Sequence, residues 1–455
     1  MRTLHAAVSL TAIVVAFGCG RTTELGSDNT GSGGTGGGGN GSSTAGAGGG
    51  EEALGTRFWE DTEGDLACPT VGRPDKSQRP AESGGGNMTL YLGMDTLDLG
   101  SNSPDIDLVT WKQVGFNLDL GCNAASWPEN ILTDSQQGTC PKLRQRACKN
   151  EFQNVYDGDY CRDNALGALL GLVAQSPIVG APFRLTGDDW NCALHKGAMS
   201  ILFKISGYNG LPNDAAVRLD VYSSTGVTEP ANWLCRAGEA NSDLLDPLWR
   251  EQAPQPATKQ WQISRRDVRA GAQIPPAGDF PESKWSDATA FVRSGWLIAE
   301  LPDNTEIWLN GLNAETSGFR FVLNNALLAA RLEQDPATDQ WRFSEATLGA
   351  TAKPGDLITS FRELGYCENL CDSYTTTLGY LNQQVDMLSS THDAVPDATC
   401  DAQSFGMAFT ARSISPGPVV DVPAPPDVSG GKCGTPRNPD VPPPGCGCVP
   451  GGACE

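Results

Sequence analysis

Three carboxylates and an amide fall within eight residues at Asp157, Asp159, Asp163 and Asn164, just ahead of an apolar stretch with helical spacing. Calcium draws about six to eight oxygens from loops of this kind, so Asp157, Asp159 and Asp163 are candidate calcium ligands. The EF-hand pattern does not apply, because Arg162 stands where that loop needs Gly and Ala168 where it needs Glu. In the competing reading, Asp163 simply caps the helix that follows. Asp105 with Asp107, and Asp188 with Asp189, are weaker candidates of the same type.

Tryptophan offers a second chemistry, because sugar rings stack on indole faces. Of the 11 tryptophans, Trp190, Trp233, Trp249, Trp285 and Trp296 fall in or near expected loops or strand ends. Aromatic side chains also serve as core, so a saccharide face and ordinary packing both fit. Glycoside hydrolysis needs two acids flanking the bond, but with 54 Asp and Glu in the chain, pairs picked by eye carry no information.

Other chemistries lack their parts. Of three histidines, His5 sits in the leader, leaving His195 and His392. The folded region has no G-x-S-x-G, and the chain has no H-E-x-x-H and no C-x-x-C. Cys192 and His195 have ligand-like spacing, yet no second pair completes a zinc set. A disulfide-bonded cysteine beside an ordinary histidine is the simpler expectation. Cys446 and Cys448 could take a soft metal or, in an oxidising compartment, close disulfides. A net charge of −22 argues against nucleic acid or anionic lipid as a partner, since phosphate binding needs basic patches.

The elements that must position these residues read mainly as strands. Period-two alternation marks 89–92, 111–120, 201–205, 217–221, 261–263, 290–301, 306–309, 319–323, 327–332 and 405–409. Many short strands separated by turn residues predict a mainly β fold, an antiparallel β-sandwich or jelly-roll-like domain stabilised by disulfides. One or two inserted helices accompany it. Asp163 and Asn164 can cap a helix over 165–175, whose apolar face is Leu166, Leu169, Leu170 and Val173. A second pattern runs from Leu357 to Val385, broken or bent at Gly365 and Gly379.

The N-terminus carries an address. Arg2, an apolar run at 6–17 and Gly18 give a signal peptide over 1–18. The run is shorter than the roughly 20 residues that span a bilayer. Cys19 follows Gly18, and this arrangement resembles the lipobox of bacterial lipoproteins, whose cysteine receives a lipid and becomes the new N-terminus. Ala16 and Phe17 depart from its commonest residues. Gly20, rather than Asp, follows the cysteine, so the resemblance implies the outer membrane. Residues 19–54 then read as a lipidated cysteine and a Gly/Ser-rich tether with Leu25 as almost its sole large apolar residue. Such a tether spans about 30–35 Å. Residues 55–413 form the expected domain, and 414–455 a Pro-rich, Cys-containing tail.

Setting aside Cys19, 14 of the 15 cysteines remain. Ten lie in the domain: Cys68, Cys122, Cys140, Cys148, Cys161, Cys192, Cys235, Cys367, Cys371 and Cys400. Four lie in the tail: Cys433, Cys446, Cys448 and Cys454. Both groups are even, so all are disulfide candidates in an exported protein, with the pairing open.

Several segments recur together: Trp111 through Gly115 and Asp119 to Cys122 as one continuous stretch over 111–122, then Asp163 to Gly167. Ser206 through Asn209-Gly210 to Asp214, and Cys400 through Phe405 to Gly406, complete the set. With the tether, they resemble large outer-membrane lipoproteins of myxobacteria over most of 19–412. The resemblance implies a compartment and no activity. Together these features predict an envelope-anchored, non-enzymatic protein with a structural or ligand-binding role, needing no cofactor beyond calcium. The alternative is a saccharide-binding or saccharide-cleaving β-sandwich at the cell surface. Its partners would be the membrane, through the anchor, and a polysaccharide or envelope protein.

Overall fold

The computed structural model describes residues 72–81, 85–100, 110–121, 147–150, 155, 157–158, 161–175, 187–230, 259–276, 278–309, 319–363 and 378–422. The leader, Cys19 and the tether lie outside them. So do Asp159 and the cysteines Cys68, Cys122, Cys140, Cys235, Cys367, Cys371, Cys433, Cys446, Cys448 and Cys454.

The class is mainly β and antiparallel, with few helices. In chain order the strands are β1 (Met88–Asp98), β2 (Ser200–Tyr208), β3 (Asp214–Val227), β4 (Trp261–Ser264), β5 (Ser286–Arg293) and β6 (Trp296–Glu300). Then come β7 (Thr305–Leu309), β8 (Phe319–Gln334), β9 (Trp341–Ala352), β10 (Gln403–Ser413) and β11 (Pro416–Val420). Helices α1 (Ala165–Gln175), α2 (Gly187–His195) and α3 (Pro354–Glu363) interrupt them.

The pairings form a ring rather than the two facing sheets of a sandwich. The order β3-β2-β1-β10-β9-β8-β6-β5 is closed by an antiparallel β3–β5 pairing, giving an eight-stranded barrel. Alternation tells which face of a strand is buried. It does not tell whether a sheet stacks on a second sheet or closes on itself. β7 runs beside the first part of β8, and β4 extends from the far half of β3. β11 adds to β4 in parallel.

Apolar side chains from all eight ring strands fill the barrel. Phe203 stacks on Phe409 with centroids 5.4 Å apart, Phe343 meets Phe203 edge-on, and Phe321 lies 5.0 Å from Phe405. Leu166, Leu169 and Leu170 of α1, Trp190 and Leu194 of α2, and Leu357 and Ile358 of α3 join the same cluster. Among the described residues the interior is therefore a hydrophobic core. Among the described residues no helix is long and apolar enough to cross a membrane.

Local chemistry explains where the strands depart from expectation. The alternation over 290–301 breaks into β5 and β6 because Ser294 and Gly295 both take positive φ, the pattern of a two-residue hairpin turn. The two stretches 319–323 and 327–332 are one strand, β8. A bulge at Asn325 (φ 49°) shifts the inward set from Phe319, Phe321 and Leu323 to Ala326, Leu328, Ala330 and Leu332. Residues 111–120 are not a strand: Thr110–Gln113 is a 3-10 turn, and positive φ at Gly115 and Leu120 bends the rest. The second helical pattern ends its first helix at Glu363. Helix returns at 378–383, and 364–377 lie outside the described residues. β11 lies in the stretch read as tail, where an edge position tolerates its two prolines.

The disulfide Cys148–Cys400 ties 147–150 to the segment before β10, across a sequence separation of 252. Cys161 and Cys192 are disulfide-bonded as well.

Candidate functional site

Three of the sequence segments singled out above meet on the outside of the barrel. Asp163 donates its backbone N–H to Phe116 O at 2.8 Å, and its Oδ2 accepts from Leu118 N at 2.6 Å. Asn164 is the N-cap of α1, because its Oδ1 accepts from Gly167 N at 3.0 Å. The same oxygen accepts from Gly406 N of β10 at 2.8 Å, and Asn164 Nδ2 donates to Trp111 O at 3.2 Å. One buried amide thus ties the helix, the barrel wall and the 110–121 segment together. Asp163 itself braces that segment and does not cap the helix. The next free N–H of α1, at Ala165, donates to Ser404 Oγ at 2.9 Å. Ser404 in turn donates its N–H (2.7 Å) and its hydroxyl to the carboxylate of Asp386.

The contact is close enough to require glycine on both sides. A Cβ on Gly406 would stand 2.9 Å from Gly115 Cα, and Gly115 holds φ +111°.

The knot concentrates acids. Burial raises Asp163 well above the usual carboxylate range, and the neighbouring charges of Asp119, Asp157 and Asp386 add to it. Burial also lifts Asp119 to about 6 and Asp386 to about 7, against hydrogen bonds that favour their charged forms. Arg73 opposes part of the charge: it donates to Leu118 O at 2.6 Å and pairs with Asp393 at 2.9 Å. Acids beside a helix N-terminus also gain from its positive end. Asp157 and Asp163 do share this cluster. Among the described residues, however, no three His, Cys, Asp or Glu side chains form a set that could hold a metal ion, and Asp159 lies outside them. Asp119 and Asp386 escaped sequence reasoning because they join the cluster from segments about 270 residues apart in the chain.

On the barrel side of the knot lies a groove of about 320 Å³. Its floor is the outer face of β1, β10 and β9. In one row Asp98, Ala408 and Thr347 stand opposite one another, and Thr96 stands opposite Thr410 in the next. A register shift in β9 sets both Ser344 and Glu345 against Thr410, which brings Glu345 to the groove. Gln113, Gly115, Phe116 and Arg162 form the far wall.

The other candidates go elsewhere. Trp190 and Trp296 are buried, and half-buried Trp285 donates to Asp267 Oδ1 at 3.1 Å. Trp233 and Trp249 lie outside the described residues. Cys192, being disulfide-bonded, offers no thiolate to a metal beside buried His195. Burial, reinforced by Arg73, lowers His392 to about 4, so its imidazole is neutral at physiological pH. No histidine lines the groove.

Compared with protein-family models, with curated proteins and with solved structures, the chain matches none.

Proposed function

We propose that this protein is an outer-membrane lipoprotein, held by a lipid on Cys19 and a Gly/Ser-rich tether, whose β-barrel domain is a non-enzymatic binding module. The observation that carries the binding part is the groove of mixed polar and apolar lining on the outer wall of a barrel filled with apolar side chains. This groove is walled by the segments knotted around Asn164. The anchor part draws on the leader, Gly18-Cys19 and the tether. Disulfides at Cys148, Cys161, Cys192 and Cys400 suit an oxidising compartment.

Fractionation of the full chain, expressed with its own leader in a bacterium with an outer membrane, tests the anchor. The wild type is expected in the outer-membrane fraction carrying labelled palmitate, and Cys19→Ser is expected soluble and unlabelled. A Cys19→Ser protein that stays with the membrane would overturn the anchor. For binding, the wild type and Ala408→Trp, which fills the groove floor, are compared for retained envelope components. Identical retention by the two, with both folded, removes the groove from the proposal.

A further inference from the structure

We propose that the groove over β1, β10 and β9 holds a saccharide, with a sugar ring lying flat on Ala408 and its hydroxyls bonded by the surrounding rows. The proposal rests on the binding-module reading above and adds the ligand class.

Size sets the first bound. A volume of about 320 Å³ is at the small end of ligand sites, room for one or two sugar rings and not for a folded segment. The lining sets the class. A cation would want acceptors alone, but Arg162 stands on the wall; an anion would want donors alone, but Asp98 and Glu345 face it. An apolar ligand would cover the polar ends of Gln113, Ser344 and Thr347 without pairing them, at a cost for each buried group. A neutral polyol fits, because each of its hydroxyls both donates and accepts.

The floor is also pre-arranged. Thr410 gives its hydroxyl proton to Asp95, which Arg412 holds from the other side. The short Thr96–Thr410 contact, 2.6 Å between hydroxyl oxygens, must then be donated by Thr96. Thr96 Oγ1 also accepts from Thr410 N at 3.1 Å. Its remaining lone pair is thus a fixed acceptor at the groove edge, already ordered before a ligand arrives. Among the described residues, no hydrogen bond occupies the side chains of Gln113, Ser344 or Thr347. Ala408, at the centre of its row, leaves the flat patch that the C–H face of a sugar needs.

The test is a thermal melt of the full detergent-solubilised chain. The saccharide probes are glucose, galactose, mannose, N-acetylglucosamine and their disaccharides. Glycine, glutamate, AMP and magnesium are the non-saccharide probes. Ligands that bind only the folded form raise the midpoint by mass action. One saccharide is expected to raise it in the wild type, to lose that effect in Ala408→Trp, and to bind about tenfold more weakly to Glu345→Gln. Glu345 is half-buried on the outer face, so its variant remains informative if Ala408→Trp fails to fold. A midpoint raised by a non-saccharide probe and lost in the variants overturns the saccharide class and leaves the groove. An equal saccharide effect in the wild type and Glu345→Gln overturns the groove as its place. No effect from any probe overturns the proposal, while envelope retention still decides the binding-module reading.

Discussion

Asp386 offers the sharpest test of how the knot is held together. Its carboxylate accepts both the N–H and the hydroxyl of Ser404, and burial still lifts it from 3.8 to about 7. Because the folded form binds the proton more tightly than the unfolded chain, this group stabilises fully below about pH 4. That contribution is lost as pH rises to about 7. The difference in affinity corresponds to about 4 kcal/mol if the carboxyl is fully desolvated, and to about 2–4 kcal/mol with partial solvent screening. With an m-value of about 3 kcal/mol per M, the urea midpoint falls by about 1 M between pH 4 and pH 7 from this group alone. Asp386→Asn keeps a carbonyl oxygen for Ser404 N and removes the titration. Measured in EDTA at each pH, its midpoint should fall less than the wild type's by that amount. Asp267, lifted to about 6 away from this cluster, titrates in both proteins and cancels in the comparison, whereas Asp119 and Asp163 feel the Asp386 charge and shift with its removal. An Asp386→Asn protein whose midpoint falls as steeply as the wild type's would show that this carboxyl is not held in the protonated form.

Asn164→Ala removes a cap and strands two buried N–H groups, and is expected to cost about 3 kcal/mol in chemical unfolding. Replacing Cys148 and Cys400 together by Ser opens a loop spanning a separation of 252 and should lower stability by about 3–5 kcal/mol, read from the denaturation midpoint under oxidising conditions. At Gly349 a Cβ would stand 2.6 Å from Phe116 Cδ2. Gly349→Val should therefore cost about 1–3 kcal/mol and shift the groove wall, seen as faster amide exchange around Phe116.

Much of the strand content was legible because inward residues such as Leu90, Leu92, Ile201, Phe203, Ile205, Val217, Leu219 and Val221 alternate with polar ones. β9 was not legible. Its inward residues after Phe343 are Ala346, Leu348, Ala350 and Ala352, small because aromatic rings from Phe203, Phe405 and Phe409 fill the lumen around them. Helix α2 was missed for a similar reason, since Gly187, Asp188 and Asp189 open it and the residues described in the core, Trp190, Ala193 and Leu194, span little more than one turn. The Asp157–Asp163 cluster and the 111–122 segment were visible as separate strings. Their meeting depends on Asn164 reaching Gly406, 242 residues away, and local periodicity holds no record of such a contact. The groove was likewise invisible, since its two rows exist only once β1, β10 and β9 are in register.

The ring closes late in the life of the chain. Among the described strands β1 is the first to leave the ribosome, and it is flanked in the barrel by β2 and by β10, with Asp95 bonded to Thr410 at a separation of 315. The β2–β3, β5–β6 and β8–β9 hairpins can form as they appear, but the seam between β1 and β10 must wait until nearly the whole domain has been made. Contacts of that span make folding slow and leave strand edges bare in the interval. A fragment that stops short of β10 therefore leaves the ring open between β1 and β9, however many of its hairpins have already formed.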